Sequence, residues 1–353
     1  MKLLFSGTAG EAGWPVPGCP CASCVRLSPG YRRPFELVVD DVARFPFSGA
    51  GAFGGGLGMV CPDGRAVLCL PPGREPPAGG PARYDAVVLD LLDRPQRLGE
   101  LRRAGLVDDR TVVVAAWLDH RVRSEEELAR RLRLWGAVTV PDGTVLEGGR
   151  AEAVPDGTVL EGRRAAAVPH GTAAGGGGRE VPARRVLLLG GARSGKSAEA
   201  ELRLVAEPYV TYVATGGDGA ADGEWSARVR AHRERRPAHW DTLETTDLAA
   251  VIGAARTPLL IDGLGTWVAA VFDECGAWEG DRAPVAARCA ELVAAWRATP
   301  VPLVAVSDEV GMGVVPATSA GRAFRDVLGR LNEQLAAESE YVALVVAGRP
   351  LEL

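Results

Sequence analysis

The chain has 353 residues, a formal net charge of −5, 45 glycines and 25 prolines. That is more chain than one ordinary domain uses, which points to two, and the slightly acidic balance excludes a broad basic surface for nucleic acid. No apolar run approaches the roughly 18 residues of a membrane span, and residues 1–7 turn glycine-rich before a signal-peptide core can form, so a cytoplasmic protein is expected.

The first block is read as residues 1–140. Residues 3–5 make a short strand, followed by a turn at Gly7, Thr8, Ala9 and Gly10. Cys19, Cys21 and Cys24 then form a C-x-C-x-x-C cluster. Three thiols so close in a loop can be metal ligands, and a structural zinc wants four. His120, the only histidine of this block, is the candidate fourth. The competing reading is three free thiols in an exposed loop, since seven cysteines, odd in number and mostly scattered, fit reduced thiols better than a disulfide framework. Residues 121–135 are expected to form a helix. Ser124 suits its N-cap, Glu125, Glu126 and Glu127 set carboxylates in its first turn, and Leu128, Leu132 and Trp135 recur as a buried stripe.

This opening resembles the metallo-β-lactamase superfamily, particularly the branch that begins with a Gly-Thr-rich turn and a tight cysteine cluster. The resemblance covers roughly the first two dozen residues and, loosely, strands at 67–70, 86–89 and 111–115. It implies a smaller, shortened α/β domain of that fold. The superfamily's metal-binding signature is H-x-H-x-D-H. The four histidines here, His120, His170, His232 and His239, form no such motif, and the glycine-rich residues 53–58 stand where it belongs. No metallohydrolase activity is therefore expected of this block; a zinc-stabilised binding or scaffolding module is the alternative.

From residue 140 the sequence repeats itself. Residues 140–148 recur as 154–162, and a decayed third start follows at 168–172. Two copies and a fragment are too few for a solenoid, which needs about three whole repeats to bury a core. The Pro-Asp-Gly turns would at best close small hairpins, and four glycines follow at 175–178. Residues 141–183 are accordingly expected to be a repetitive Pro/Gly-rich linker.

The second block, residues 184–353, opens with a short apolar strand at 186–189 and a turn that fits G-x-x-x-x-G-K-[ST] at every fixed position: Gly190, Gly191, Ala192, Arg193, Ser194, Gly195, Lys196 and Ser197. The chemistry needs that spacing. Glycines let successive backbone N–H groups point at a phosphate with no Cβ in the way, and the helix that starts near Lys196 adds its positive dipole end. Lys196 can reach the β- and γ-phosphates and the Ser197 hydroxyl can ligate Mg²⁺. A helix at 198–206, a strand at 209–214, a buried run at 258–262, helices at 284–298 and 319–339, and strands at 302–307 and 341–347 complete a doubly wound parallel sheet of P-loop NTPase type. Ligands of such sheets sit at the carboxyl edge, where the phosphate loop, Thr215, Asp262 and Asp308 fall. Asp262, directly after a β-run, is placed as a Walker-B-type acid holding Mg²⁺; the plainer reading is a carboxylate capping the turn at 263–265. Between residues 228 and 236 five arginines surround His232. A patch this cationic suits phosphate oxygens, and neutral imidazole can attack phosphorus without first losing a proton. From the residues alone His232 is either a nucleophile or a phosphate-contacting or structural histidine.

Several motifs in order then carry a specific resemblance. Residues 190–197 after a strand, residues 212–215 (Tyr-Val-Ala-Thr), residues 232–244 (H-R-x-x-R-P-x-x-W-x-T-x-E), residues 309–316, residues 324–332 and the terminal Val-Val-Ala-Gly-Arg-Pro-Leu are similar to the bifunctional adenosylcobinamide kinase / adenosylcobinamide-phosphate guanylyltransferase family of cobalamin synthesis. The resemblance covers residues 184–353 and implies a RecA-like sheet and two reactions. A nucleoside triphosphate (GTP or ATP) phosphorylates adenosylcobinamide; then GTP guanylylates a histidine, which passes GMP to adenosylcobinamide phosphate to give adenosyl-GDP-cobinamide. The family's guanylylated histidine falls on His232, and Lys196 serves the phosphates. Its nucleotide contacts fall on the loop from Gly190 to Ser197, on Ala214, Thr215 and Gly216, on Arg233, Glu234, Arg235 and Arg236, and on Glu244 and Asp262. Glu244 is suited to accept from guanine N1–H and N2, a donor pair adenine lacks. A homo-oligomer, a trimer among the options, is implied as well. The chain departs from the family pattern at Asp308, usually Asn, and at Glu333, usually Gln, and a second carboxylate beside the phosphates would either bind Mg²⁺ or repel the triphosphate. The rival reading is a P-loop kinase or ATPase of another pathway, with no covalent histidine.

Overall fold

The computed structural model describes residues 1–147, 150–152, 183–216 and 236–353. They fall into two compact units: residues 1–94 with the described residues from 104 to 152, and Pro95–Arg103 with those from 183 to 353.

Among the described residues ten short strands build the first unit: β1 (Lys2–Gly7), β2 (Glu36–Val39), β3 (Ala43–Arg44), β4 (Ala52–Phe53), β5 (Gly58–Val60), β6 (Ala66–Leu70), β7 (Ala86–Leu89), β8 (Val112–Ala115), β9 (Thr144–Glu147) and β10 (Arg150–Glu152). They form two five-stranded sheets. One, in the order β10-β9-β1-β2-β3, is antiparallel throughout; the other, β4-β5-β6-β7-β8, has β6, β7 and β8 parallel. Phe5, Leu37 and Val39 of the first share one core with Val67, Cys69, Val88 and Val114 of the second. The two helices of this stretch are α1 (Gln96–Arg103), which groups with the second unit, and α2 (Glu125–Leu134). α2 begins four residues later than the expected 121. Ser124 caps it by accepting from the Glu127 N–H at 3.1 Å, while Arg121 is drawn back onto Asp119 at 2.8 Å in the preceding turn.

Residues 144–147, expected within a linker, are instead β9, which lies between β1 and β10. The reason is an unfilled edge: β1 offers its free side to the Thr-Val-Leu segment, and Leu146 drops into the core at 4 % exposure. The preceding turn is held as firmly, because Asp142 accepts from the Thr8 hydroxyl at 2.8 Å and from the Arg33 N–H at 2.6 Å. The second copy of the repeat and its decayed third start, within 153–182, lie outside the described residues.

The second unit runs β11 (Arg185–Gly190), α3 (Lys196–Leu204), β12 (Thr211–Ala214), β13 (Asp241–Glu244), α4 (Leu248–Ala254), β14 (Leu259–Asp262), α5 (Leu264–Glu274), α6 (Ala283–Ala298), β15 (Leu303–Asp308), α7 (Ser319–Ala337), β16 (Tyr341–Val346) and β17 (Arg349–Glu352). Its sheet has the order β13-β12-β14-β15-β11-β16-β17, parallel except for the terminal β17. Alternate side chains of β11, β12, β14 and β15 feed two cores, one on each face. Leu187, Leu189, Val213 and Ile261 meet Trp267 of α5, Leu292 of α6 and Leu331 of α7; Val186, Leu188, Tyr212 and Leu260 meet Ala200 and Leu204 of α3. The parallel strands therefore read as continuous apolar runs, and the sheet is doubly wound as expected. Among the described residues no helix is long and apolar enough to cross a membrane.

Trp267 fills the larger of these cores at 1 % exposure, with its indole N–H donating to the Thr246 carbonyl at 2.7 Å. Trp267→Ala should destabilise the unit by about 3–5 kcal/mol, read as a shift in the guanidinium midpoint followed by far-UV circular dichroism. A loss under about 1 kcal/mol would mean the site collapses around the cavity.

Candidate active site

Register sets the site. At the carboxyl edge of the sheet Gly190 lies opposite Asp308, Asp262 opposite Ala214, and Ala214 opposite Glu244. The loop that leaves β11 folds tightly: the Ser194 N–H donates to the Gly191 carbonyl at 3.2 Å, Arg193 has φ +57°, and Gly195 reaches φ +96° before α3 begins at Lys196. Gly190 and Gly195 are required here. A side chain on Gly190 would strike Ser194 and the Val345 carbonyl, and one on Gly195 would strike the backbone of Gly348. The β16–β17 turn clamps the loop from outside, where the Gly348 N–H donates to the Ser194 carbonyl at 2.7 Å.

The Lys196 and Ser197 side chains are both tied to strand-end acids. The Ser197 hydroxyl donates to Asp262 Oδ1 at 3.0 Å. The Lys196 ammonium donates to the Gly191 carbonyl at 3.1 Å and pairs with Asp308 Oδ1 at 2.9 Å. Asp262 Oδ2 in turn accepts from the Tyr212 hydroxyl at 2.5 Å. Burial, and then the Asp262 charge beside it, raise the Tyr212 phenol above its ordinary value, against the opposing pull of Arg236. Arg236 stacks its guanidinium 3.2 Å from the Tyr212 ring centre. A chain of contacts thus runs from Arg236 through Tyr212 and Asp262 to Ser197.

Of the residues singled out in the sequence, Gly190 to Ser197, Ala214, Thr215, Gly216, Glu244 and Asp262 share this edge. Thr215 is turned inward: at 2 % exposure its hydroxyl lies 2.7 Å from both the Gly263 carbonyl and the Thr266 hydroxyl, so it braces the turn behind Asp262 rather than facing the loop. The Arg236 guanidinium lies on Tyr212. His232, Arg233, Glu234 and Arg235 lie outside the described residues. Tyr212, Gly348 and the Asp308–Lys196 contact are features of the site that the sequence does not mark. Tyr212 lies within the Tyr-Val-Ala-Thr motif and Gly348 within the terminal Val-Val-Ala-Gly-Arg-Pro-Leu, but only the fold brings them to the edge of the loop.

In the first unit the thiols of Cys19, Cys21 and Cys24 and a ring nitrogen of His120 all lie within 4.8 Å of one another. Cys19 Sγ is 3.4 Å from His120 Nδ1. The Val16 and Cys24 N–H groups donate to the sulfurs of Cys24 and Cys21 at 3.4 and 3.5 Å. The Ser23 hydroxyl donates to the Val122 carbonyl at 2.7 Å, which holds the two loops together. Backbone donation by Cys24 lowers the Cys21 thiol, while desolvation lifts Cys24 to about 11.

The raised Tyr212 phenol stays protonated, and its hydrogen bond to Asp262 with it, as pH climbs past the ordinary tyrosine value near about 10. In an alkaline titration followed at 295 nm, wild type and Tyr212→Phe should therefore ionise equal numbers of phenols up to about pH 11. One fewer in the variant would show that Tyr212 titrates normally.

Residues 186–353 match the family model described as cobinamide kinase / cobinamide phosphate guanyltransferase. The chain is 38 % identical over 178 residues to the bifunctional adenosylcobalamin biosynthesis protein CobU of Escherichia coli, a match spanning 46 % of this chain and 96 % of the relative. It is 41 % identical over 177 residues to the bifunctional adenosylcobalamin biosynthesis protein CobP of Pseudomonas aeruginosa, across 48 % and 96 % of the two chains. An ATPase of a bacterial type III secretion system overlays with a TM-score of 0.32 at 13 % identity, covering 46 % of this chain and 50 % of that one, an overlap too loose to bear on the site.

Proposed function

Through residues 186–353 the chain belongs to the cobinamide kinase / cobinamide phosphate guanyltransferase family, and from that premise we propose that it carries out both reactions on adenosylcobinamide. In the first, the substrate's aminopropanol oxygen bonds to the γ-phosphorus of a nucleoside triphosphate, the bond to the β-phosphate oxygen breaks, and the hydroxyl proton is released. In the second, an imidazole nitrogen of His232 bonds to the α-phosphorus of GTP and pyrophosphate leaves. The cobinamide phosphate oxygen then takes the GMP, breaking the N–P bond and returning the free histidine. The product is adenosyl-GDP-cobinamide.

The observation that carries this reading is the meeting of Lys196, Ser197 and Asp262 at one edge, within the segment that spans nearly the whole of the relatives. Lys196 suits the phosphate oxygens, and the N-terminus of α3 and the loop amides favour anions. Ser197 and Asp262 present paired oxygen ligands of the kind Mg²⁺ takes. Such an ion would neutralise phosphate charge there. Glu244, at the end of β13, serves guanine selection, and Arg233, Glu234, Arg235 and Arg236 with Ala214 and Gly216 complete the nucleotide site. One strand, β15, separates the Asp262 strand from the loop strand, which supports a RecA-like sheet. A cytoplasmic homo-oligomer accords with the family.

The first unit is read as a shortened metallo-β-lactamase-like module, supported by two five-stranded sheets, one antiparallel and one mixed, that share a core, and as a zinc site without hydrolase chemistry. Three sulfurs and one imidazole nitrogen, gathered from loops about a hundred residues apart with two N–H···S contacts behind them, fit a closed tetrahedral zinc.

Two measurements test these readings. Incubation with GTP labelled at the α-phosphate should leave acid-labile, alkali-stable label on the denatured chain, and none on His232→Ala. Label absent from both would overturn the covalent intermediate and leave a P-loop kinase or ATPase. Purified protein should carry about one equivalent of zinc, lost in Cys21→Ser and His120→Ala; less than about half an equivalent in wild type counts against the site.

A further inference from the structure

Asp308 is held where it is from three sides. Its residue pairs with Gly190 in the β11–β15 register, and the next residue's N–H donates to the Gly190 carbonyl at 3.2 Å. Its own carbonyl accepts from Asn332 Nδ2 at 3.1 Å, and Asn332, 4 % exposed, is fixed by the Ser307 hydroxyl at 2.6 Å. The glycine at residue 265 leaves the Asp308 carboxylate room, since a Cβ there would press on Oδ2 and push the side chain aside. So anchored, it faces an ammonium that is itself confined. The Lys196 side chain is 13 % exposed, and among the described residues its ammonium meets Asp308 and the Gly191 carbonyl of its own loop. Asp308 is more open, at 40 %, so water can solvate the carboxylate when the ammonium leaves it.

We propose that Asp308 is a positioning residue that stands in for the terminal phosphates, holding Lys196 over the loop in the free enzyme and competing with the triphosphate for it. The inference rests on the nucleotide reading of the loop. A phosphate group brought to the loop must take the ammonium from a fixed carboxylate and accept that carboxylate's charge nearby. Asp308 therefore keeps Lys196 ordered between turnovers and weakens nucleotide affinity.

The sequence supplies a clean readout, because it contains two lysines, Lys2 and Lys196. Lys2 pairs with Asp41 at 3.1 Å and serves as the internal reference. Full-length wild type, Asp308→Asn and Asp308→Ser, each checked for fold by circular dichroism, are acylated with a limiting succinimidyl ester and read by mass spectrometry; Kd for Mg·GTP is measured alongside. Both variants should acylate Lys196 about three- to tenfold faster relative to Lys2, and bind Mg·GTP about three- to tenfold more tightly, the range of a half-exposed ion pair plus one nearby repulsion. An unchanged acylation ratio overturns the proposal, as does an unchanged or weaker Kd; weaker binding is what a metal-ligating Asp308 would give. Protection of Lys196 by Mg·GTP in wild type separates the two claims. Without protection the nucleotide reading falls and takes this one with it, whereas protection with unchanged variants sinks the Asp308 role alone.

Discussion

The site depends on the register of a parallel sheet. Gly190 ends level with Asp308 of the adjacent β15, and Asp262 of β14, one strand further out, pairs with Val306, so the loop leaving β11 meets two carboxylates on the same side of its strand. Each acid holds one of the two loop side chains that phosphate chemistry needs, Ser197 and Lys196 respectively. A slip of one residue in either strand would turn its acid to the opposite face. Burial of alternate side chains in two separate cores forbids that slip, so hydrophobic packing fixes the electrostatics of the edge.

Glycines and buried polar contacts then set the fine geometry. Gly190 and Gly195 let the loop pass close to Val345 and Gly348, and Gly265 leaves room for the Asp308 carboxylate. Behind the acids, Tyr212 and Arg236 support Asp262, Thr215 and Thr266 brace its turn, and Ser307 with Asn332 anchors Asp308. Most of these groups are sheltered from water, where a hydrogen bond left unmade costs about 1–3 kcal/mol. That cost makes the loop a preorganised feature of the edge.

The first unit shows the same logic in another form. Arg32, 5 % exposed, joins the Glu125 carboxylate at 2.8 Å, the Thr8 hydroxyl at 2.7 Å and the Val140 carbonyl at 2.7 Å, linking three loops to α2. A cysteine loop and a histidine a hundred residues later reach one point because the segments that follow β1 and β8 are joined by backbone bonds, the Leu118 N–H to the Thr8 carbonyl at 3.1 Å and the Gly10 N–H to the Leu118 carbonyl at 2.9 Å. Part of the duplicated segment is built into the fold. Its first copy meets the open edge of β1 and becomes a core strand, and sequence identity between the copies could not reveal that.

The sequence by itself determined the phosphate loop, the acid at 262, the alternation of strands and helices after residue 184, the Ser124 cap and the set of possible zinc ligands. Each is a local pattern whose physical cause lies within a few residues: a glycine that permits a turn, an apolar period, a hydroxyl three residues before a free N–H. Tertiary structure alone decided that Thr215 turns inward, that Arg236 lies on Tyr212, that residues 144–147 join a sheet, that Gly348 clamps the loop, and that Asp308 holds Lys196. Those outcomes depend on which strands become neighbours and at what height they end. The free energy that settles this comes from burying side chains distant in sequence, which no local window contains.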